Sequence, residues 1–410
     1  MKSRLAVFTG NRGEFGILFP FIFELHNLFK IDLFVSGAHV LYPWNTINEI
    51  REKLKKHEME IAIQKISLNS KKNIYQRSLA VIYNKMLSLL DPVKEKYLCA
   101  IVLGDRIETL GFSLAAFFSK VPLVHIGAGD VNNNPYFDTN VRHCITKVSH
   151  IFLTLNRKAK NVLIGMGEEE WRIKYIGMLS YDYDRLGLLP SVFELENTLK
   201  IRENGFSCIC TYHPSHLKSD EENLNDFKTV YKAINHSQDI KKIIITYPNN
   251  DPGSKLMIEY LDHLKNRMIN NQRFSFISNL GTETYLAIQK YFKTIIVGNS
   301  SSGLLETPFY CTPTINIGDR QNERLRSSNV MEVPIKEKII SDQLQYCISN
   351  YEKLKSYYES DRFYFGDGRA ALKAYNTIKS LMKFEKGVIL NKKFVIRKHR
   401  FENNSNSISS

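Results

Sequence analysis

No stretch of the 410-residue chain approaches the ~18 uninterrupted apolar residues that a membrane-crossing helix needs. The opening run Met1-Lys2-Ser3-Arg4-Leu5-Ala6-Val7-Phe8 reads as a strand entering a glycine loop. It does not read as a secretion signal, because no apolar core of sufficient length follows the basic residues. Cysteine is sparse: the six are scattered, and Cys208 and Cys210 lie in an apolar, strand-like run. That pattern predicts core thiols in a reducing compartment rather than a metal site. Walker loops, Gly-x-Gly-x-x-Gly fingerprints and metal-ligand motifs are all missing. These absences lead us to expect a cytoplasmic protein with no metal, no cofactor and no membrane span.

What is present suits a two-domain globular protein. The chain is long enough for two cores, and 43% hydrophobic with 24% charged residues is ordinary for that class. The formal charge of +14 raises the question of nucleic acid, but its distribution argues against it. Between Lys383 and Glu402, seven Lys or Arg face two acids, so a good part of the excess sits in the tail. Arg51, Lys53, Lys55 and Lys56 form a second cluster on what reads as a solvated helix. A basic surface of this kind suits small anionic substrates or a membrane surface.

Apolar β-branched runs alternate with helical periodicity twice over. The first series has strands at 5–9, 31–36, 100–103, 122–126, 150–155 and 175–177. Its loop at 10–16 leads into a helix over 17–29, and further helices cover 73–96 and 107–118, with another after Asp138. The second series has strands at 206–212, 242–247, 274–277, 294–297 and 314–317, with helices at 223–235, 254–267 and from 285. This alternation predicts two Rossmann-like units with parallel sheets. We place the first domain at 1–185 and the second at 186–368. A helix over 369–386 folds back on the first domain, and a basic, Asn/Ser-rich tail at 387–410 reads as disordered.

One stretch carries most of the chemistry. Val297-Gly298-Asn299-Ser300-Ser301-Ser302-Gly303-Leu304-Leu305-Glu306 leaves a strand, passes three hydroxyls and enters a helix with Glu306 about one turn in. Helix-start N–H groups and hydroxyls suit a phosphate, and Glu306 would meet the ribose hydroxyls. A second short strand follows and ends in a loop bearing Arg320. Ligands gather at the carboxyl ends of parallel strands. There the sequence puts Arg12, Asp105, Arg106, Asp130, His213, Asn249, Ser300, Ser301 and Arg320. Asp138 joins Asp105 and Asp130 at one sheet edge, and grouped acids can supply both an acid and a base. His213 is a phosphate donor or a structural histidine, and Arg142 with His143 serves the site or a solvated helix face.

The set resembles the hydrolysing UDP-N-acetylglucosamine 2-epimerases of sialic and legionaminic acid synthesis. The match runs from about residue 3 to 385 through Phe8 to Gly16, Leu103-Gly104-Asp105-Arg106, Arg142 to Lys147, Tyr212-His213-Pro214, Pro248-Asn249 with Gly253-Ser254-Lys255, Val297 to Gln321, and Gly366 to Ala370. The resemblance implies the GT-B fold, two Rossmann-like domains whose parallel sheets face each other across a cleft, with a nucleotide-sugar as substrate. It also implies a homo-oligomer, dimer or tetramer. By position, Arg12, His213, Ser300 and Ser301 would contact the diphosphate, with Glu306 on the ribose and Arg320, Arg106, Arg142 and Asn249 in the same cleft. Asp105 and Asp138 would be catalytic carboxylates. A base would take the C2 proton as UDP leaves C1, and water would add to the resulting 2-acetamidoglucal. The chain departs from the family where His-x-Glu-Gly-Gly-Glu is usual: here it reads His125-Ile126-Gly127-Ala128-Gly129-Asp130. Glycine cannot transfer a proton, and Asp130 is the nearest carboxylate in that loop. A GT-B glycosyltransferase, or a catalytically idle sugar-nucleotide-binding protein, is the alternative.

Overall fold

Apolar runs of the first half become seven parallel strands in the computed structural model, which describes residues 2–41, 45–68, 74–91, 97–131, 138–215, 218–248, 253–322 and 324–396. They are β1 (Arg4–Thr9), β2 (Lys30–Val35), β3 (Ala62–Lys65), β4 (Tyr97–Leu103), β5 (Leu123–Ile126), β6 (Ile151–Thr154) and β7 (Ile173–Tyr175), ordered β3-β2-β1-β4-β5-β6-β7. Helices α1 (Arg12–Leu25), α2 (Ile47–Lys56), α3 (Ile74–Leu89), α4 (Ile107–Phe118), α5 (Asn140–Val148) and α6 (Arg157–Gly165) connect them. The central strands are buried along almost their whole length, as expected of a parallel sheet covered on both faces.

The chain then crosses through α7 (Asp182–Arg185) and α8 (Val192–Leu199) to a second parallel sheet. Its strands are β8 (Phe206–Thr211), β9 (Ile240–Thr246), β10 (Phe274–Ile277), β11 (Thr294–Gly298), β12 (Thr314–Ile317) and β13 (Val330–Val333), ordered β10-β9-β8-β11-β12-β13. Between them run α9 (Asp220–His236), α10 (Lys255–Arg267), α11 (Thr282–Tyr291) and α12 (Ser302–Leu305). The chain closes with α13 (Glu337–Ser349), α14 (Tyr351–Tyr358), α15 (Ala370–Leu381) and α16 (Lys386–Leu390). Each sheet reverses strand order once, between β1 and β4 and between β8 and β11. Those switch points are where a doubly wound sheet opens a crevice.

One apolar cluster runs through both halves, joining Leu5, Val7 and Ile101 of the first sheet to Ile209, Ile244 and Ile296 of the second. Polar bonds cross with it. The fully buried Tyr183 donates its hydroxyl to Gly16 O at 2.8 Å and accepts from Lys53 Nζ at 2.8 Å. Lys53 also pairs with Glu283 on α11 at 2.8 Å and lies over the rings of Phe19 and Tyr183. A Cβ on Gly16 would stand 2.3 Å from Thr282 Oγ1, so α1 and α11 approach too closely there for any side chain.

The structure corrects several sequence expectations. Residues 12–16 are not loop but the first turns of α1, because the Asn11 side chain caps the helix by accepting from Glu14 N at 2.9 Å. Lys53 is not solvated like its neighbours; its side chain is only 15% exposed because Glu283 and Tyr183 draw it inward. The short strands β3 and β13, at opposite edges of the two sheets, were not anticipated. Cys144 is exposed, whereas the other five cysteines are buried.

At the C-terminal end, α15 lies against α1 and receives a cap from the first half, Ala371 N donating to Asp182 Oδ2 at 3.0 Å. Residues 387–396, expected to be disordered, follow a defined path. Buried Arg172 donates to Ile389 O at 2.7 Å and Asn391 O at 3.0 Å, and Lys392 pairs with Glu168 at 3.0 Å. Residues 397–410 lie outside the described residues. Among the described residues no helix is long and apolar enough to cross a membrane, and no group of His, Cys, Asp or Glu could hold a metal ion.

The Tyr183 hydroxyl serves the Gly16 carbonyl and the mostly buried Lys53, and its loss leaves the carbonyl unpaired while Lys53 keeps Glu283. Tyr183→Phe should therefore lower the free energy of unfolding by about 1–3 kcal/mol. Urea denaturation with an unchanged midpoint would show that the Tyr183 hydroxyl contributes nothing to stability.

Candidate active site

The second sheet's part of the site begins with a glycine that must be a glycine. Gly298 has φ of +141°, and a Cβ there would lie 2.0 Å from Thr211 O. The close approach brings Asn299 against the end of β8. Asn299 accepts from His213 N at 2.7 Å and donates to His213 O at 2.8 Å. His213 is thereby fixed at the switch point. Burial, then the charges of Arg320 and Arg12, push its imidazole down to about 3, so it works as a neutral ring. Arg12, from the first half, and Arg320, from the second, thus converge on it. Arg320 Nη1 and Gln321 Nε2 both donate to Asn299 O, at 3.1 and 2.8 Å.

Beyond Asn299 the serine stretch makes a single turn. α12 has four residues, and Glu306 is its C-cap rather than part of a longer helix, which Pro308 cuts short. One turn carries little macrodipole, so anion affinity here would rest on the half-buried Ser300 and Ser301 and the arginines. Ser300 Oγ accepts from Ser302 Oγ at 3.0 Å. Glu306 is buried, and desolvation raises its carboxyl to about 7 against the opposing influence of the Ser180 hydroxyl. Asn249 lies outside the described residues.

Across the cleft, the ends of β4 and β5 and the start of α5 carry the acids. Arg142 is buried, which rules out the solvated-face reading. It donates through Nη2 to Asp105 Oδ2 and through Nη1 to Gly127 O at 2.8 Å. Gly127 has φ of +76°, and a Cβ would stand 3.3 Å from Arg142 Nη1. The position where the family carries a glutamate is therefore a left-handed turn whose carbonyl seats the arginine. Asp130, half-buried, accepts from Asn156 Nδ2 at 3.2 Å and faces Arg142. Asp138 sits in a π-type turn at 138–139 that opens α5. Burial first, then Asp105, raise its carboxyl above the usual range, while Arg142, Arg324 and Arg320 pull it back.

Arg106 follows Asp105, but its guanidinium is engaged by Glu108, with Nη2 3.2 Å from Oε1. Beside it Glu14, buried, accepts from Gly10 N at 2.7 Å and is raised by burial to about 7. The structure thus gathers Asp105, Asp130, Asp138 and Arg142 in one group, and Arg12, His213, Ser300, Ser301 and Arg320 around the second switch point. Sequence reasoning missed the clasp made by Asn299, the buried Glu14 and the contribution of Arg324. Arg324 stands four residues after Arg320 in a polar loop, and that spacing is the only signal the sequence offers for it.

Two facing Rossmann-like sheets, with a serine-rich turn on one and acids on the other, define the GT-B fold. The chain belongs to the UDP-N-acetylglucosamine 2-epimerase family, whose profile matches residues 23–379. It is 28% identical over 338 residues to the hydrolyzing GDP/UDP-N,N'-diacetylbacillosamine 2-epimerase of Campylobacter jejuni, covering 82% of this chain and 85% of that one. It is 29% identical to polysialic acid biosynthesis protein P7 of Escherichia coli, with 93% and 95% covered. In structure it resembles the Neisseria meningitidis UDP-GlcNAc 2-epimerase bound to UDP-GlcNAc, with TM-score 0.73 at 18% identity over 94% of this chain and 100% of that one.

Glu306 offers a check on the site's electrostatics. A carboxyl whose folded pKa of about 7 exceeds its unfolded value near 4.5 adds stability at low pH and loses it as pH rises through 7. Glu306→Gln should thus stabilise the unliganded protein more at pH 8 than at pH 5, by on the order of 2–3 kcal/mol. Urea unfolding at both pH values tests it. Equal effects at both would mean that Glu306 does not titrate near neutrality.

Proposed function

We propose that the protein is a hydrolysing 2-epimerase that converts UDP-N-acetylglucosamine, or a 4-acetamido-6-deoxy relative, to UDP and the free manno-configured sugar for sialic- or legionaminic-type synthesis. The observation that carries the reading is the pairing of two chemically distinct groups at two facing switch points. One is cationic and rich in hydroxyls, which suits a diphosphate. The other holds three carboxylates around a buried guanidinium, which suits proton transfer.

In this reading Arg12, His213, Ser300, Ser301 and Arg320 hold the diphosphate, Glu306 holds the ribose, and Arg106 and Asn249 complete the cleft. A carboxylate removes the proton from C2, the C2–H electron pair becomes the C1–C2 double bond, and the C1–O pair leaves with UDP. Water then adds across the alkene, its hydroxyl to C1 and a proton to C2 on the opposite face. Asp105, paired with Arg142, is the proton acceptor. Asp138, whose proton affinity is raised by burial and by Asp105, is the second carboxyl of the proton transfer. Asp130 stands in for the glutamate that Gly127 replaces. The 4-acetamido-6-deoxy option draws support from the diacetylbacillosamine epimerases of Campylobacter jejuni and Legionella pneumophila among the relatives. The reading carries a dimer or tetramer and a cytoplasmic setting, the latter in keeping with six free cysteines.

An epimerase must break the C2–H bond, whereas a glycosyltransferase breaks only C1–O. Given its nucleotide-sugar in D₂O without an acceptor, the protein should release UDP and a manno sugar with deuterium at C2. Asp105→Asn and Asp138→Asn should each lower this turnover by ~10²-fold or more while UDP still binds. Asp130→Asn should abolish deuterium uptake. A gluco product with protium at C2, read by mass spectrometry and NMR, would instead mark simple hydrolysis or an idle transferase.

The nucleotide assignment has its own test. Ser301→Ala and Glu306→Ala should each weaken UDP binding by about 1–3 kcal/mol, the value of a hydrogen bond to a charged group. Calorimetry giving wild-type affinity for both variants would remove those residues from the nucleotide site.

A further inference from the structure

We propose that the strap at residues 382–396, together with Trp171, forms a face that docks the protein on an anionic membrane surface and leaves the cleft turned away from the lipid.

Buried polar bonds hold the strap in one place. Arg172 collects the carbonyls at the end of α16, donating to Ile389 O at 2.7 Å, Asn391 O at 3.0 Å and Val388 O at 3.3 Å. Beyond α16, Lys393 N donates to Glu169 Oε2 at 2.9 Å and Val395 N to Gly167 O at 2.8 Å. Gly167, at φ of +83°, lets the Phe394 ring lie on the backbone, since a Cβ there would stand 2.6 Å from the ring. These bonds decide which side chains turn in. Ile389 is buried, and Lys392 reaches Glu168 Oε2 at 3.0 Å and Lys147 O at 2.8 Å.

Left outside are Met382, Phe384, Val388, Phe394 and Ile396, the last two 70% and 83% exposed. Trp171 adjoins them, stacked on Phe384 with ring centroids 5.7 Å apart. Exposed Lys383, Lys386 and Lys393 are interleaved with these apolar groups. The acids beside them are Glu385 on the strap, Glu169, which pairs with Arg172, and Glu170, which pairs with Lys160. Arg397, Lys398 and Arg400 follow in the sequence.

Single exposed apolar residues need no explanation, but a contiguous apolar patch marks a protein interface or a membrane contact. The lysines decide between them. Lysine is depleted at the core of protein interfaces. Anionic headgroups attract Lys and Arg, while aromatic and aliphatic side chains beside them sink to the boundary with the acyl chains. Interleaving of the two on one strap fits the bilayer. The placement fits as well. Tyr97 and Pro122, at the amino ends of β4 and β5, line a hollow with Phe384 and Ile389. The strap thus covers the amino ends of the first sheet, whereas Asp105 and Asp130 follow the carboxyl ends of β4 and β5. Apart from Trp171, the face lies beyond residue 379, where the family profile ends, so it is an addition to the shared fold.

Sedimentation of the full chain with vesicles tests this. The protein should pellet with phosphatidylglycerol vesicles, stay in solution with phosphatidylcholine vesicles, and be released by salt. Phe394→Ser with Ile396→Ser should weaken binding ~10-fold or more, as expected when two apolar side chains no longer reach the acyl boundary. Lys386→Gln and Lys393→Gln should each weaken it about fivefold. Phosphatidylglycerol brominated on its acyl chains should quench tryptophan fluorescence, and Trp171→Phe should remove that quenching. Ile396→Ser and Lys393→Gln alter side chains outside the buried bonds, so these two decide if Phe394→Ser loosens the strap. A protein that does not pellet with phosphatidylglycerol would overturn the proposal. Binding that survives all of these substitutions would overturn it too, by placing the contact on residues 397–410 or on another surface. Self-association in the ultracentrifuge that Ile396→Ser abolishes would do the same, by showing that a second copy covers the face.

Discussion

The buried guanidinium of Arg142 is the constraint around which the acids of the first half are arranged. A charge taken out of water needs partners with good geometry, and losing one typically costs several kcal/mol. Arg142 finds them in the Asp105 carboxylate and the Gly127 carbonyl. That carbonyl is presented by a left-handed turn that only glycine adopts without strain. The glycine at 127 is therefore more than a lost glutamate. It is the residue that lets β5 end in a turn aimed at Arg142, and a side chain at that position would push on the guanidinium. Asp130, two residues beyond Ala128 and anchored by Asn156, adds its charge to the field that favours the same arginine.

Asn299 does for the second half what Arg142 does for the acids. It closes β8 against β11 by bonding both polar backbone groups of His213, and its own carbonyl collects Arg320 and Gln321. Asn299 sits at the strand-order reversal of its sheet and the acids at the ends of β4 and β5, beside the reversal of theirs, so both lie at the carboxyl ends of the strands, where such a fold opens its crevice. Their separation is set elsewhere, by the packing of α1 on α11 and by Lys53, Tyr183 and Glu283. α15 crosses back to α1, so the end of the chain helps hold the two halves in register.

Much of this was legible in the sequence because parallel strands announce themselves as apolar runs ending in Gly or Asp. The strands leading to Asp105, His213 and Ser300 were found that way, and the residues after them are the ones the cleft collects. What sequence could not show was long-range pairing. Nothing near Lys53 indicates that Glu283, 230 residues on, would draw it out of solvent. Nor does α5 reveal that Arg142 faces inward, since a nine-residue helix can bury either side. The α1 start was misplaced because Gly10 and Gly13 read as loop, whereas the Asn11 cap decided the matter. The serine turn was read as a longer helix because Leu304 and Leu305 fit a helical pattern, and Pro308 limits it to one turn.

The protonation pattern gives the site its chemical character. Histidine is the usual group to titrate near neutrality. Here His39, His125 and His213 are pushed down by burial to about 4, 3 and 3, so each serves as a neutral hydrogen-bonding ring. His125 spends both nitrogens on Thr146 and Gly104, and His39 spends both on Thr9 and Thr46. The groups brought toward neutral pH are carboxyls instead: Glu14 and Glu306 at about 7, with Asp138 raised as well. Burial drives both trends, since it penalises the charged form of either type. A cleft lined this way keeps its fixed positive charge on arginines and its titration near neutrality on carboxyls. In the proposed reaction the arginines would bind the diphosphate and the carboxyls would exchange protons with carbon, the division of labour that an elimination with an anionic leaving group requires.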